Sequence, residues 1–404
     1  MSNYSNNEKQ KKYKFPKDFF WGTSTSAHQV EGGNNNNDWW RAEQEGSIPH
    51  KSGAACDSYN RYEEDFNLAQ EMNNNAHRFS IEWSRIEPKE GRFDEKEIEH
   101  YRKVIHAVKK RGLEPFITLH HFTNPVWFSD KGGWKNLKAP EYFARYVEYL
   151  INHLGDEARF WITINEPIIL TTMSYLKGKW PPHNKCLCGL LAGVNMVRAH
   201  KKAYKAIKNY NNDLQIGVAK NNKFYEAYPG SFFSKIGKLI IDYLSNKWFL
   251  NRIDKHQDFV GLNYYSHNRV FVRASMPTSW LNYNENKITS DFGWEIYPEG
   301  IYRATMQAWN KYKKPIYILE NGVADAKDNL RSNFIREHLQ WLHKAIEEGA
   351  DVRGYFHWSL LDNFEWAEGF TMKFGLVEVD FETLERKPRE SFYAYKKISK
   401  NNGF

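Results

Sequence analysis

Short apolar runs rich in β-branched residues recur along the chain, and longer stretches with a helical spacing of apolar residues separate them. The runs predict eight strands, at 19–26, 76–83, 115–121, 160–166, 216–220, 258–265, 316–320 and 354–359. The helical spacing is clearest at 95–110, 141–153, 194–208 and 334–348. No glycine/serine linker interrupts this alternation. We therefore predict one α/β domain, a (β/α)8 TIM barrel over 15–404, after a disordered polar tail at 1–14.

Polar and aromatic side chains cluster at the ends of the predicted strands, where barrels of this class place their chemistry. They are Gln29, Glu31, Arg78, Glu82, His120, His121, Asn165, Glu166, Asn263, Tyr265, Glu320, Asn321, Trp358, Glu365 and Trp366. The chain has no serine-triad motif, phosphate-binding glycine loop or dinucleotide fingerprint. The pattern predicts an active site of carboxylates, amides and aromatic rings at the C-terminal ends of the strands.

Two of the acids stand in the same local setting. Glu166, in WITINEP, ends an apolar run and precedes Pro167, which cannot continue a strand ladder. Glu320, in PIYILENG, ends a second such run. A lone glutamate at a strand end usually forms a salt bridge or caps a helix. A facing pair in a polar pocket is suited to glycoside cleavage, in which one acid protonates the leaving oxygen and the other meets the developing cation.

These two roles require opposite protonation states at the same pH. The acid must be kept neutral by burial or by a nearby negative charge, and its partner must be kept ionised by a cation or by hydrogen-bond donors. Arg78 is a candidate for that cation, with a salt bridge in the barrel floor as the equal alternative.

Composition narrows the classes of partner. Aromatic residues make up 16% of the 404 residues, with 15 Trp and 24 Tyr, which fits either a carbohydrate-lined cleft or a tryptophan-rich core. The net charge of +8 comes from lysines spread along the chain, as in Lys109-Lys110 and Lys313-Lys314. Because no arginine-rich block accompanies them, we interpret them as a solvated surface and expect no nucleic-acid partner.

The cysteines and the N-terminal residues bear on location. Cys56, Cys186 and Cys188 are too few for a disulfide framework and suggest a reducing compartment. The Cys186-Leu-Cys188 pair lacks a second ligand pair at metal spacing, so we expect no zinc site. The N-terminal residues lack the apolar core of a secretory signal, and no apolar run reaches 18 residues. We therefore expect a cytoplasmic protein without a membrane partner.

Several longer stretches carry a resemblance to a known family. In chain order they read WGTSTSAHQVEGG, HRFSIEWSRIEP, TLHHFTNP, TINEP, DFVGLNYYS, GWEIYPEG, ILENG and YFHWSLLDNFEWAEGFTMKFGLVEVD. They resemble glycoside hydrolase family 1, the retaining β-glucosidase and β-galactosidase family, and the resemblance runs from about residue 15 to residue 399. It implies that Glu166 is the acid/base and Glu320 the nucleophile. It further implies that Arg78, Asn263 and Tyr265 orient Glu320, and that the sugar is held by Gln29, His121, Asn165, Trp358, Glu365 and Trp366.

The chemistry of these side chains agrees with the implied roles. An amide at Asn165 reaches the sugar 2-hydroxyl, whose hydrogen bond strengthens in the transition state. Gln29 both donates and accepts, and Glu365 accepts from two adjacent hydroxyls. Trp358 and His121 each have a core role as the alternative. His120 points to the opposite strand face, so we expect it to be structural, like Glu82 and Glu114, which lack either acid motif.

The chain also departs from the family pattern. His28, Phe122, Ile168 and Lys373 replace the residues usual at those positions, and the segment between 222 and 257 is a short, basic, helix-like substitute for a longer insertion. We expect this shortening to widen the cleft and to loosen selection of the leaving group. Glu365 stands where members specific for 6-phosphosugars have a small polar residue, and Met372 and Phe374 replace their lysine and tyrosine. A glutamate there repels a phosphate dianion, so neutral sugars are expected.

The sequence thus predicts a retaining β-glycosidase that removes terminal β-D-glucosyl residues, and β-D-galactosyl or fucosyl residues as well, from small β-glycosides or short oligosaccharides. We expect the route to need no metal and no cofactor. Two alternatives stay open: a transglycosylase with the same residues, and a sugar-binding protein on a catalytically dead barrel.

Overall fold

Thirteen strands are present in the described part of the chain, and eight of them close into a parallel barrel. The computed structural model describes residues 12–184, 186, 188–273, 276–282 and 288–404, and only the backbone of 273 and 276–282. The strands are β1 (Phe20–Ser24), β2 (Ala76–Ser80), β3 (Glu114–Thr118), β4 (Phe160–Asn165), β5 (Gln215–Asn221), β6 (Phe224–Ala227), β7 (Val260–Asn263), β8 (His267–Arg273), β9 (Met276–Asn282), β10 (Ile316–Asn321), β11 (Val352–Trp358), β12 (Val377–Val379) and β13 (Arg386–Pro388). The barrel order is β1-β2-β3-β4-β5-β7-β10-β11 and back to β1. β6, β8 and β9 form a separate three-stranded sheet, and β12 pairs with β13.

Helices follow the barrel strands and cover them from outside. They are α1 (Ala27–Val30), α2 (Asp38–Gln44), α3 (Ser58–Glu71), α4 (Trp83–Ile86), α5 (Glu95–Lys110), α6 (Val126–Asp130), α7 (Ala139–Leu154), α8 (Pro167–Leu170), α9 (Cys188–Tyr210), α10 (Phe232–Asp242), α11 (Trp248–Ile253), α12 (Glu299–Tyr312), α13 (Arg331–Glu347) and α14 (Glu390–Lys400). Two π-helical turns, Thr171–Leu176 and Tyr243–Lys247, continue α8 and α10. Short 3-10 turns occur at Gly133–Lys135, Gly155–Glu157, Asp254–His256 and Trp366–Glu368.

The barrel interior is filled by large side chains near its N-terminal end. Phe116 and Phe160 stack at a centroid distance of 4.2 Å, and Tyr317 and Phe356 pack edge-on against Phe116. A second, larger core fills the space between the strands and the helices. Because aromatic side chains plug the floor, the open end of the barrel lies at the carboxyl ends of the strands.

The predicted (β/α)8 barrel is confirmed, and each of the eight predicted strands overlaps a barrel strand. Residues 1–11 of the predicted tail lie outside the described residues. Tyr13, within the last part of that tail, exchanges backbone hydrogen bonds of 2.7 and 3.1 Å with Phe404. Among the described residues, no helix combines the length and apolarity needed to cross a bilayer.

The cysteines differ from the expectation. Cys186 and Cys188 form a disulfide with Cα atoms 5.1 Å apart, whereas Cys56 is free and buried. The Cys186-Leu-Cys188 spacing predicts neither a metal site nor a disulfide framework, yet the two sulfur atoms are bonded in the structure. The result is one local bridge rather than a framework of bridges.

Candidate active site

The carboxyl ends of the barrel strands open into a cavity of about 370 Å³. Nine of the eleven predicted site residues line it: Gln29, His121, Asn165, Glu166, Tyr265, Glu320, Trp358, Glu365 and Trp366. Arg78 and Asn263 are fully buried and hydrogen-bond to lining residues. These eleven residues come from seven of the eight barrel strands and the loops that follow them, and Asn221 of β5 lines the cavity as well.

Glu166 lies one residue beyond the end of β4, and its backbone has a left-handed φ of 43°. This conformation is strained for any residue other than glycine. It occurs mostly at functional sites, where the surrounding structure holds it in place. Its Oε1 accepts hydrogen bonds from Asn263 Nδ2 at 2.9 Å and Asn221 Nδ2 at 3.1 Å. Burial, followed by the negative charge of Glu320, raises the pKa of Glu166 to about 7. This carboxyl can therefore carry a proton close to neutral pH.

Glu320, near the end of β10, has different neighbours. The Arg78 guanidinium donates from Nη1 to Oε1, and the Tyr265 hydroxyl donates to Oε2 at 2.7 Å. Arg78 is itself held by Thr118 Oγ1 at 3.1 Å and Asn165 Oδ1 at 2.8 Å. One cation and one phenol thus face the Glu320 carboxylate, an arrangement that favours the charged form of an acid.

A close backbone approach completes the β10 edge of the cavity. A side chain at Gly322 would meet the Trp358 carbonyl oxygen at 1.8 Å, so only glycine fits after the Glu-Asn pair. Strand register also shifts near both acids, between Ile162 and Asn165 and between Ile318 and Glu320. Such irregularities re-aim side chains at the ends of strands.

The opposite wall of the cavity carries groups suited to sugar hydroxyls. Gln29 Nε2 donates to Glu365 Oε2 at 3.2 Å and to Asn363 Oδ1 at 2.9 Å. Burial, followed by the charge of Glu320, raises the pKa of Glu365 to about 8. His121 accepts from Asn165 Nδ2 at 3.1 Å, and its buried Nδ1 has no hydrogen-bond partner among the described residues.

Aromatic rings give the cavity flat apolar surfaces. The His121 ring lies nearly parallel to Trp358 and to Trp366, at centroid distances of 5.9 and 6.0 Å. Both tryptophans are almost wholly buried yet border the cavity, so each is at once part of the packing and a wall. The apolar C–H face of a pyranose fits such rings.

Comparisons with known proteins agree with this geometry. The family model described as glycosyl hydrolase family 1 matches residues 11–253 and 224–404. The chain belongs to glycosyl hydrolase family 1. It is 36% identical to β-glucosidase A of Acetivibrio thermocellus over 97% of this chain and 100% of that protein, and 31% identical to a β-galactosidase of Pyrococcus woesei over 96% and 98%. Solved structures with the same fold include a β-glycosidase from Pyrococcus horikoshii, with TM-score 0.93, 38% identity and coverage of 98% and 96%. A family 1 β-glucosidase from Thermotoga maritima has TM-score 0.92, 32% identity and coverage of 97% and 99%.

Family 1 membership makes this chain a glycoside hydrolase. One side-chain contact differs from the expectation. Asn263 was expected beside Glu320, but its amide donates to Glu166 and, at 3.2 Å, to Asn165. β7 lies between β5 and β10, and Asn263 is in register with both Asn221 and Glu320. Its side chain turns toward the Glu166 side, which corrects the expected contact.

Other acids and histidines from the strand ends lie outside the family 1 cavity. Glu82 accepts from Ser84 and Thr123, and His120 pairs with Asn124 at 3.0 Å, so both are structural as expected. Glu31 is bound by Arg85 at 2.8 Å and by Tyr101 at 2.7 Å. Asn321 donates to the Tyr264 carbonyl and does not line the cavity.

The sequence missed Asn221, which hydrogen-bonds the Glu166 carboxyl. A signal was present, because Asn221 directly follows the strand predicted at 216–220, and β5 in fact extends to Asn221. Lys220 and Lys223 also act on Glu166: each is a nearby cation, and burial lowers the pKa of Lys220 to about 7. Additional lining side chains come from Ile169, Met173, Lys179, Trp180, Lys223 and Trp294.

Proposed function

We propose that this chain hydrolyses terminal, non-reducing β-D-glucosyl residues, and β-D-galactosyl or fucosyl residues as well, from small β-glycosides or short oligosaccharides with net retention. The observation that carries the proposal is the pairing of two buried acids in one cavity with opposite surroundings. Glu166 faces amides and has a pKa of about 7, while Glu320 faces a guanidinium and a phenol. One acid is thereby suited to donate a proton and the other to attack.

In the first step a Glu320 oxygen bonds to the anomeric carbon as the bond to the leaving oxygen breaks, and the Glu166 proton moves to that oxygen. The resulting ester removes the charge of Glu320, which is the second cause of the raised Glu166 pKa. The pKa of Glu166 then falls, and its carboxylate takes a proton from water. The water oxygen attacks the anomeric carbon, and the bond to Glu320 breaks.

The sugar-binding wall supports this choice of substrate. Gln29 and Glu365 offer one donor group and one acceptor group to the hydroxyls at the far end of the ring, and Trp358 and Trp366 offer the stacking faces. Structures of the Thermotoga maritima β-glucosidase, at 32% identity, are complexes with glucoimidazole and deoxynojirimycin. A 6-phosphate is disfavoured beside the buried carboxyl at 365, because a phosphate dianion would lose its water there and approach the charge of Glu320.

A substrate panel tests the proposal. Aryl β-D-glucoside, galactoside, fucoside and 6-phosphoglucoside with one common leaving group should give turnover of the first three and little of the fourth. Binding of glucose without any turnover would contradict hydrolysis and indicate a sugar-binding barrel. Product analysis at high acceptor concentration separates hydrolysis from transglycosylation.

Leaving-group selection is proposed to be loose because the segment after β5 is short. Ile169, Met173 and Lys223 line the cavity on the side of Glu166, where the leaving group departs. A series of aryl glucosides and disaccharides should differ modestly in kcat/KM. A sharp preference for a single leaving group would contradict this part of the proposal.

We also propose that the protein works in the cytoplasm. The free, buried Cys56 supports this, because a reducing compartment keeps thiols reduced. Cell fractionation with activity as the readout tests it, and activity recovered outside the cell would contradict it.

A further inference from the structure

α10 and the π-helical turn after it present an apolar surface to solvent. Seven of the sixteen exposed large apolar side chains in the described residues lie within 13 positions: Phe232, Phe233, Ile236, Leu239, Ile240, Tyr243 and Leu244. Their spacing of three and four places them on one side of a helix. Phe232 is 70% exposed and Leu239 62%. We call these seven residues the apolar helix face.

The polar side of the same helix is turned inward and fixed there. Ser234 is buried and accepts a hydrogen bond from the Val272 backbone at 3.0 Å. Asp242 accepts from Asn246 at 2.8 Å and from Gln307 at 3.1 Å. Rotating the helix to hide its apolar residues would break these buried contacts, and unpaired buried polar groups are costly. The apolar helix face is therefore a stable feature of the fold.

Positive charge borders this face. Lys235 is exposed, Lys238 is half-buried, and neither forms an ion pair within the described part of the chain. Both line an open groove of about 650 Å³ beside the helix, together with Arg269, which is paired with Glu295, and with Glu226, which is paired with His267. Lys247, at the end of the π-helical turn, binds Asp242. The only carboxylate along the helix itself is thus buried and neutralised.

We infer that the apolar helix face is a docking surface for a bilayer that contains anionic lipids. A helix with a strong apolar side and lysines at its border lies in the plane of such a membrane, with the apolar side chains between the acyl chains and the ammonium groups near the lipid phosphates. The net charge of +8 adds long-range attraction. A second copy of the chain fits less well, because a two-fold contact through this face would bring equivalent lysines together. This inference revises the expectation that the protein has no membrane partner.

Co-sedimentation with vesicles tests the inference on the full-length protein. We expect pelleting with vesicles of phosphatidylcholine mixed with phosphatidylglycerol, less pelleting with phosphatidylcholine alone, and release as salt is raised. Absence of pelleting with the mixed vesicles at low salt would overturn the inference.

Matched variants identify the surface. Leu239→Ser with Ile240→Ser should weaken vesicle binding by at least about tenfold, whereas Leu137→Ser, at a residue 64% exposed elsewhere on the surface, should not change it. Lys235→Gln and Lys238→Gln should each cost about fivefold on mixed vesicles only. All variants should keep the wild-type turnover of a soluble aryl glucoside, which reports folding. Wild-type binding by the Leu239/Ile240 variant would overturn the inference. A second outcome would also overturn it: light scattering shows that the wild type is a dimer and the Leu239/Ile240 variant a monomer, and the wild type does not bind vesicles.

Discussion

Glu166 and Glu320 share one cavity but differ in their neighbours, and that difference divides the chemistry between them. Glu320 faces the buried guanidinium of Arg78 and the hydroxyl of Tyr265. Glu166 faces the amides of Asn221 and Asn263, which carry no charge. Burial dominates at Glu166 and raises its pKa, whereas a buried cation contacts Glu320 directly. Two chemically identical side chains become an acid and a nucleophile through what the barrel places beside them.

The largest effect should follow removal of the nucleophile. Glu320→Ala should lower kcat/KM for an aryl β-glucoside by at least about 10⁴-fold, since no other group can form the covalent intermediate. Added azide should restore turnover and give the α-glycosyl azide, because azide then attacks from the side that Glu320 occupied. An unchanged kcat/KM would show that Glu320 is not the nucleophile and that the two acids do not divide the chemistry in this way.

Removal of the acid should act selectively. Glu166→Ala should lower kcat/KM by about 10²–10⁴-fold for alkyl glucosides and disaccharides, whose leaving oxygen needs a proton, and far less for activated aryl glucosides. Azide should now give the β-glycosyl azide from the glycosyl-enzyme. Equal losses across all leaving groups would show that Glu166 is not the proton donor.

Removing the cation beside Glu320 should lower kcat more than removing an amide beside Glu166. Arg78→Met should reduce kcat by about 10²-fold or more, because Glu320 loses its charged partner, and should destabilise the fold by about 3–5 kcal/mol, since a buried charge is left unpaired. Steady-state kinetics and thermal unfolding measure the two effects. Thermal unfolding is the control. If the variant loses stability but keeps the wild-type kcat, the ion pair between Arg78 and Glu320 is purely structural.

Much of this arrangement could be read from the sequence. Glu166 and Glu320 were predicted from two local features, the strand end before Pro167 and the repeat of an acid after an apolar run. Strand period and proline geometry are local properties, so the sequence shows them directly. The direction of the Asn263 side chain could not be read, since it depends on packing against strands about 40 and 60 residues away in the chain. For a related reason, the sequence did not predict that the polar side of α10 faces inward. Its pattern is helix-like, but only the buried partners of Ser234 and Asp242 decide which side faces solvent.

Glu365 extends the comparison to stability. Its pKa of about 8 in the folded protein lies above its ordinary value of 4.5, so the folded state keeps a proton that the unfolded chain releases. Stability should therefore fall as pH rises between these two values. Glu365→Gln cannot lose a proton there and should raise Tm at pH 8 by at least about 2 °C relative to wild type, with little change at pH 4. A Tm difference independent of pH would contradict a raised pKa at this position.

The smallest effect concerns the amides. Asn221 donates to Glu166 and lowers its pKa, so Asn221→Ala should raise that pKa. The acid then stays protonated to higher pH, and the basic limb of the kcat/KM profile should move upward. Asn222→Ala is the matched control, because the Asn222 side chain makes no hydrogen bond to Glu166 in the described structure. A downward shift in the Asn221 variant would contradict the assigned role of the amide.

Covalent trapping tests the division of labour most directly. A 2-deoxy-2-fluoro-β-glucoside with a good leaving group forms the glycosyl-enzyme but slows its hydrolysis, since the fluorine destabilises the cationic transition state. Mass spectrometry of the intact protein and then of its peptides should show one fluoroglucosyl group, located on the peptide that contains Glu320. A label on Glu166, or inversion of the anomeric centre without any label, would contradict the account.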